Sequence, residues 1–178
     1  MNELTHAEEK AIDLLRAAHV TSLPVPVDEI ARGLDVDLTY EAYDGDVSGM
    51  IYRYDDHAVI GVNSKHAPTR QRFTVAHEIG HCVLHEGRQM FVDRFVTRVN
   101  WRNGESNVEE IQANQFAAEL LMPREFVASE VERALNKRRT IDGQGLASQL
   151  ANVFDVSPQA MEYRLANLGV LDPAALVS

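Results

Sequence analysis

Cysteine occurs once in the 178 residues, at Cys82. No disulfide can form within the chain, which fits a reducing compartment. No stretch of about 18 consecutive apolar residues is present, so no membrane span and no membrane partner are expected. The opening MNELTHAEEK is polar and acidic, unlike a secretory signal. A cytoplasmic protein is the economical expectation. Basic residues are scarce as well: 17 Lys and Arg stand against 27 Asp and Glu, a formal net charge of −10. Proteins that mainly grip phosphate backbones present basic surface, so direct nucleic-acid binding is not expected. There is neither a fixed-period repeat nor a low-complexity tract. With 45% hydrophobic and 25% charged residues, the composition is that of one ordinary globular domain, residues 1–178, able to bury its own core.

Helical spacing of Leu4, Ala7, Ala11, Leu14, Leu15 and Ala18 predicts a helix over 3–19. TSLPVP breaks it, and a short helix from Val27 to Gly33 follows. Three strands are expected at Asp35–Tyr40, Val47–Tyr54 and Ala58–Val62, the last two joined by a turn at Asp55-Asp56-His57. Pro68 suits the first turn of a long helix. After a connection over 87–106, part of which alternates like an edge strand, Ser106 and Glu109 have capping-box spacing for a helix ending near Leu121. Further helices are expected at 123–137, 143–154 and 157–168. The pattern predicts an α+β fold: a small, mostly antiparallel sheet packed on helices, with a core over about 20–137 and a helical C-terminal part over about 141–171.

The long helix carries RFTVAHEIGHCVLHEG, residues 72–87. Its apolar and small residues surround the helical wheel, the pattern of a buried helix. Yet His77, Glu78, His81 and His85 interrupt it, and buried polar groups are costly without partners. His77 and His81, four apart, project from one side of the helix and can reach a single metal ion. Glu78 beside them is placed to touch a metal-bound water. This is the HExxH zincin arrangement: two neutral imidazoles on Zn²⁺ and a glutamate as general base. With 7 His and 15 Glu, one accidental HExxH has roughly a 2% chance, so a second signal is needed. The competing reading is an ordinary core helix whose histidines bond backbone carbonyls.

That second signal is NVEEIQANQFAAELLMP, residues 107–123. Glu110, Ala113, Asn114, Ala117 and Leu121 form one helical stripe of small residues headed by a carboxylate. Its alanines permit close approach to another helix, and Gly80 offers the matching gap. Glu110 could then complete the zinc site, with Asn114 holding the free ring nitrogen of a ligand histidine. Glu109 is the rival for third ligand but fits better as the capping-box acid. Together these two blocks resemble the signature blocks of the ImmA/IrrE family of metallopeptidases. The tail VFDVSPQAMEYRLANLGVL, residues 153–171, is similar to the segment that follows them there. The resemblance runs from about residue 20 to 171. It implies a zincin-like fold, zinc on His77, His81 and Glu110, and Glu78 as catalytic base. It also implies a protein substrate, typically a helix-turn-helix repressor, cleaved to release transcription. The extra DNA-binding or sensor domain of some members is not expected within 178 residues.

Several residues invite other readings. His85 makes HExxHxxxH; the metzincin pattern would need histidine at position 87, where Gly87 stands. A fourth ligand from His85 would close the site, so a supporting role behind the ligands fits better. Cys82 reads as a small core residue and Glu119 as solvated or interhelical. Residues 146–168 have helix-turn-helix form, but the second helix offers only Arg164 as a base, and packing is preferred to DNA reading. NKRRT (136–140) reads as solvated surface. Tyr52, Tyr54, His66 and 87–106 are unranked candidates for stabilising an oxyanion. Substrate is expected to lie extended along a sheet edge, with Val47–Tyr54 or Ala58–Val62 bordering the zinc cleft. The sequence therefore predicts a zinc endopeptidase acting on a regulatory protein. The alternative is a zincin-shaped module that holds a repressor- or antitoxin-type partner without cutting it.

Overall fold

The computed structural model describes residues 4–45, 47–54, 57–85, 90–94, 104–137 and 142–172. The expected turn at Asp55-Asp56, most of 87–103 and most of NKRRT lie outside these residues. Helix α1 (His6–Ala17) starts at a capping box: the Thr5 hydroxyl accepts from Glu8 N–H at 3.3 Å, and Glu8 accepts from Thr5 N–H at 2.8 Å. Helix α2 (Val27–Gly33) buries Val27, Ile30 and Ala31. Strands β1 (Val36–Glu41), β2 (Val47–Arg53) and β3 (Ala58–Asn63) follow, and then the long helix α3 (Pro68–Leu84), with Pro68 in its first turn. Strand β4 (Met90–Arg94) precedes α4 (Gly104–Leu121). Because α4 begins at Gly104, Ser106 falls inside its first turn instead of at its cap. Helices α5 (Arg124–Lys137), α6 (Gly143–Phe154) and α7 (Pro158–Asn167) complete an α+β fold with a helical C-terminal part.

The sheet order is β1-β3-β2-β4. β1 runs parallel to β3, while β2 is antiparallel to both β3 and β4, so two of the three pairings are antiparallel. This corrects the expected edges. β3 lies between β1 and β2, and β2 lies between β3 and β4, so neither strand of that pair has an open edge. Among the described residues the edges are β1 and β4. Sequence alternation identifies a strand but not its neighbours, and the pairing of β4 onto β2 spans a long connection that periodicity does not see.

Helix α3 lies across one sheet face. Ile51 and Ile60, paired across β2 and β3, are buried with Val62 in the same core as Val75 and Ile79 of α3. The approach is close at Gly49, where an added Cβ would stand 2.3 Å from Thr74 Cγ2 and 3.3 Å from Glu78 Oε1. Only a residue without a Cβ lets the strand pass under Thr74 and Glu78 at this distance.

The C-terminal helices pack through Leu146, Leu150, Phe154, Met161 and Leu165. Asp142 caps α6 and Ser157 caps α7, each accepting a backbone N–H. Arg164, the sole base of the helix-turn-helix reading, is 4% exposed. It donates to the Met122 carbonyl at 3.0 Å and pairs with Glu119, which is fully buried. Arg124 joins the cluster through its backbone N–H to Glu119 at 3.0 Å and its side chain to Glu8 at 3.1 Å. Glu119 is thus interhelical, and Arg164 is a packing residue with no surface to offer DNA. No helix among the described residues is long and apolar enough to cross a membrane.

Candidate metal centre

The site forms where the C-terminal half of α3 meets the N-terminal half of α4. Gly80 sets the spacing. A Cβ there would stand 3.2 Å from both Ala113 Cα and Phe116 Cδ1, so α4 rides directly on the α3 backbone. Ala113 and Ala117 are fully buried in this contact row, as the small-residue stripe predicts. The close approach carries the Glu110 carboxylate to both imidazoles: 3.2 Å from His77 Nε2 and 3.4 Å from His81 Nε2. The two Nε2 atoms are themselves 3.1 Å apart. Among the described residues these three side chains are the one group of His, Cys, Asp and Glu with converging ligand atoms. Glu109, the rival third ligand, is not in that group.

The hydrogen bonds on the far side of each ring decide what the Nε2 atoms can do. His77 Nδ1 lies 3.1 Å from Asn114 Oδ1, an acceptor, so a proton on Nδ1 is held there and Nε2 can be offered to a metal. His81 Nδ1 lies 3.1 Å from His85 Nδ1, and His85 Nε2 lies 3.0 Å from Gln112 Oε1. Reading back from the Gln112 oxygen, His85 donates through Nε2, its Nδ1 accepts, and His81 donates through Nδ1. With that polarity His81 can likewise offer its Nε2 to a metal. Two imidazole nitrogens and a carboxylate then lie within 3.5 Å of one another, an arrangement that suits a cation. A tetrahedral ion with bonds of roughly 2.0–2.1 Å holds its ligand atoms about 3.3 Å apart, and the separation of the two rings and the contact of each with one Glu110 oxygen lie near that spacing. The residues fit a metal ion of the zinc type.

Electrostatics agree with this donor set. Burial lowers the His81 pKa, and the neighbouring His77 adds to the effect against the pull of Glu110, so the neutral ligand form is favoured. Burial alone would raise Glu110, but hydrogen bonds and charge from His77 and His81 outweigh it and bring its pKa down to about 2. Glu110 is an anion. Glu78, fully buried on the same helix turn, has its carboxylate against the β2 backbone at Gly49. Cys82 is half-buried against the core, and burial pushes its thiol up to about 11, so it remains protonated.

His85 sits behind His81 as expected, on the Nδ1 side. Of the oxyanion candidates, Tyr52, Tyr54 and His66 are not gathered here, and most of 87–106 lies outside the described residues. Tyr52 alternates with Ile51 and so belongs to the sheet face turned away from α3; with Tyr54 it forms an exposed aromatic pair at 4.6 Å that extends to His57. His66 precedes α3, three turns from His77. Two contributors escaped the sequence reading. Gln112 heads the row Gln112, Phe116, Leu120, whose other members are fully buried, and a polar residue leading such a row was the available signal. Arg53 of β2 donates to the His81 carbonyl, tying strand to ligand helix; nothing local in the sequence marks it.

An α+β fold with a mixed sheet under an HExxH helix, and a glutamate brought in from a second helix, defines the class of zincin-like metallopeptidases. The profile of the peptidase family described as the IrrE N-terminal-like domain matches residues 32–166. The chain belongs to this ImmA/IrrE family. It is 34% identical over 110 residues to the radiation response metalloprotease IrrE of Deinococcus radiodurans, covering 62% of this chain and 31% of that protein. The IrrE of Deinococcus deserti is 39% identical over 114 residues, 64% of this chain and 38% of that one. The phage-like element PBSX protein XkdA of Bacillus subtilis is 29% identical over 164 residues, 91% of this chain and 72% of XkdA. The chain thus spans about a third of the length of the two IrrE proteins. A Mycobacterium tuberculosis transcriptional regulator shares the fold, with a TM-score of 0.59 at 18% identity over 93% of this chain and 48% of that one.

Proposed function

We propose that this chain is a zinc-dependent endopeptidase that cleaves a regulatory protein, a helix-turn-helix transcriptional repressor, with zinc on His77, His81 and Glu110 and Glu78 as general base. The observation that carries the reading is the convergence of the two Nε2 atoms and the Glu110 carboxylate beside a buried glutamate that is not one of them. When bound, zinc supplies Lewis acidity, polarising a peptide carbonyl and lowering the pKa of water toward ~7. The chain's own residues do the rest. Asn114 and His85 hold the ligand rings in orientation. Glu78 takes the proton of the attacking water on a carboxylate oxygen and delivers it to the leaving amine. Strand β4, the open edge beyond β2, is the reading's place for an extended substrate backbone. The metalloprotease names of the Deinococcus relatives support the reaction class. The regulatory substrate rests on family resemblance.

Glu78→Gln tests it. The variant keeps the size of the side chain and should keep the metal, while loss of the base should slow cleavage by about 10²–10⁴-fold. It should also retain affinity for its partner and so isolate it. The captured partner is then incubated with wild type and with Glu78→Gln, each zinc-loaded. Cutting by the wild type alone is expected. An intact partner in both incubations refutes the peptidase and leaves a binding module of the same shape.

A further inference from the structure

The hydrogen bonds that end on Gln112 assign a role outside the ligand set. We infer that Gln112 is a positioning residue: acting through His85, it fixes the tautomer of His81 and keeps its Nε2 open for the metal. The inference rests on the metal site proposed above, which it deepens.

The chain of contacts has four members on two helices. Gln112 Oε1 is 3.0 Å from His85 Nε2, His85 Nδ1 is 3.1 Å from His81 Nδ1, and His81 Nε2 faces Glu110 at 3.4 Å. A contact between two imidazole nitrogens is symmetric by itself, since either ring can carry the shared proton. If His85 carried it on Nδ1, His81 would have to accept on Nδ1 and hold its own proton on Nε2, pointed at the ligand position. One proton shift in His85 thus reverses the polarity of the whole relay. The two ends of the relay pull in opposite senses: Glu110 draws a proton to His81 Nε2, whereas the Gln112 oxygen, which accepts but does not donate, draws the His85 proton to Nε2 and so leaves His81 its proton on Nδ1. His77 needs one step for the same result, because Asn114 contacts its ring directly. His81 needs two, because α4 delivers its amide one residue's radius further round, to a ring at the C-cap of α3.

Helix packing places the amide accurately. Gln112 precedes Phe116 by one turn, and Phe116 is fully buried against Gly80. The contact that brings Glu110 to the site therefore also sets the reach of Gln112. His85 is held in its own right by its backbone N–H, which donates to the His81 carbonyl at 3.2 Å.

The experiment compares wild type, Gln112→Leu and Gln112→Glu in three measurements. Imidazole ¹⁵N shifts of the metal-free protein at neutral pH read the His81 tautomer. Competition with a chromophoric chelator reads Zn²⁺ affinity. Thermal melting of the metal-free protein reads the fold. Wild type should show His81 protonated on Nδ1. Gln112→Leu should move population to the Nε2–H form and weaken Zn²⁺ binding by about 10–100-fold, the usual cost of removing a group that orients a ligand. Gln112→Glu keeps an acceptor and should restore both tautomer and affinity. Unchanged His81 shifts and affinity in Gln112→Leu overturn the inference. Equal loss of affinity in both variants, following a fall in melting temperature, also overturns it, because that is a packing effect. Failure of the function is seen separately: a wild type that binds Zn²⁺ through His81 and cuts nothing refutes the peptidase alone, whereas one that binds no Zn²⁺ refutes both.

Discussion

Gly49 offers the sharpest test of how the sheet carries the site. Replacing it with alanine places a methyl 2.3 Å from Thr74 Cγ2, 3.1 Å from the Gly61 carbonyl and 3.3 Å from Glu78 Oε1. The first distance is over 1 Å short of ordinary contact. Thr74 is 3% exposed, so its packed side chain has no free space to swing into. Strand and helix must separate instead. Overpacking of this kind costs roughly 1–3 kcal/mol, offset by about 0.5 kcal/mol from the lower chain entropy of alanine in the unfolded state. Gly49 does not have a positive φ, so backbone strain adds nothing. At about 2–4 °C per kcal/mol for a chain of this size, melting should fall by roughly 1–10 °C. Thr74→Ser removes the offending methyl and keeps the hydroxyl. The double variant should therefore recover about 1 kcal/mol or more beyond additivity, the coupling expected of residues in contact. Thermal unfolding of the four members of the cycle, all metal-free, measures this. Additive effects of the two substitutions would refute the contact, and a Gly49→Ala protein as stable as wild type would refute the close approach of β2 to α3.

Metal analysis of Glu110→Ala beside Glu109→Ala should find bound zinc lost in the first and kept in the second; the reverse would reassign the third ligand. Arg164→Leu strands the fully buried Glu119 with one cationic partner fewer, and denaturant unfolding should show a loss of about 3 kcal/mol, the lower end for breaking a buried pair because the Arg124 N–H remains. Tyr40 donates to Asp28 at 3.1 Å, and burial, followed by the charge of Asp28, pushes its pKa up to about 12. Its proton is bound more tightly folded than unfolded, so its contribution is intact below pH ~10 and fades as pH rises toward 12. Phenolate absorbance should show one tyrosine ionising late in wild type and not in Tyr40→Phe.

Much of the fold was written in local pattern. Val27–Gly33 and residues 143–154 are helices with the bounds that spacing and caps predict, because a helix closes its bonds within four residues. The grouping of His77, His81 and Glu110 follows from equally local features: His77 and His81 share a turn, and Gly80 lies against Ala113 of the second helix. What failed was non-local. Which strands sit at the edge depends on β4 crossing from a distant segment, and no periodicity within β2 or β3 records a neighbour. Gln112 lies outside the stripe through Glu110 and Asn114, and its contact with His85 joins α4 to the end of α3, which no single periodicity links. Glu119 and Arg164 are 45 residues apart, and no local pattern pairs them.

The ionic cluster of Glu8, Glu119, Arg124 and Arg164 bears on how little of this chain can stand alone. Its members come from the first helix, the end of the ligand helix, the start of the next and the last helix. A shortened protein ending after α6 would keep His77, His81 and Glu110 and still lose Arg164, leaving carboxylates in the interior where one guanidinium had met them. One starting after α1 would strand Arg124 and Arg164 in the opposite sense. The smallest autonomous unit therefore has to begin before Glu8 and run past Arg164. It exceeds the two ligand helices several-fold, and at its N-terminal end it reaches beyond the segment that matches the family, which starts at residue 32.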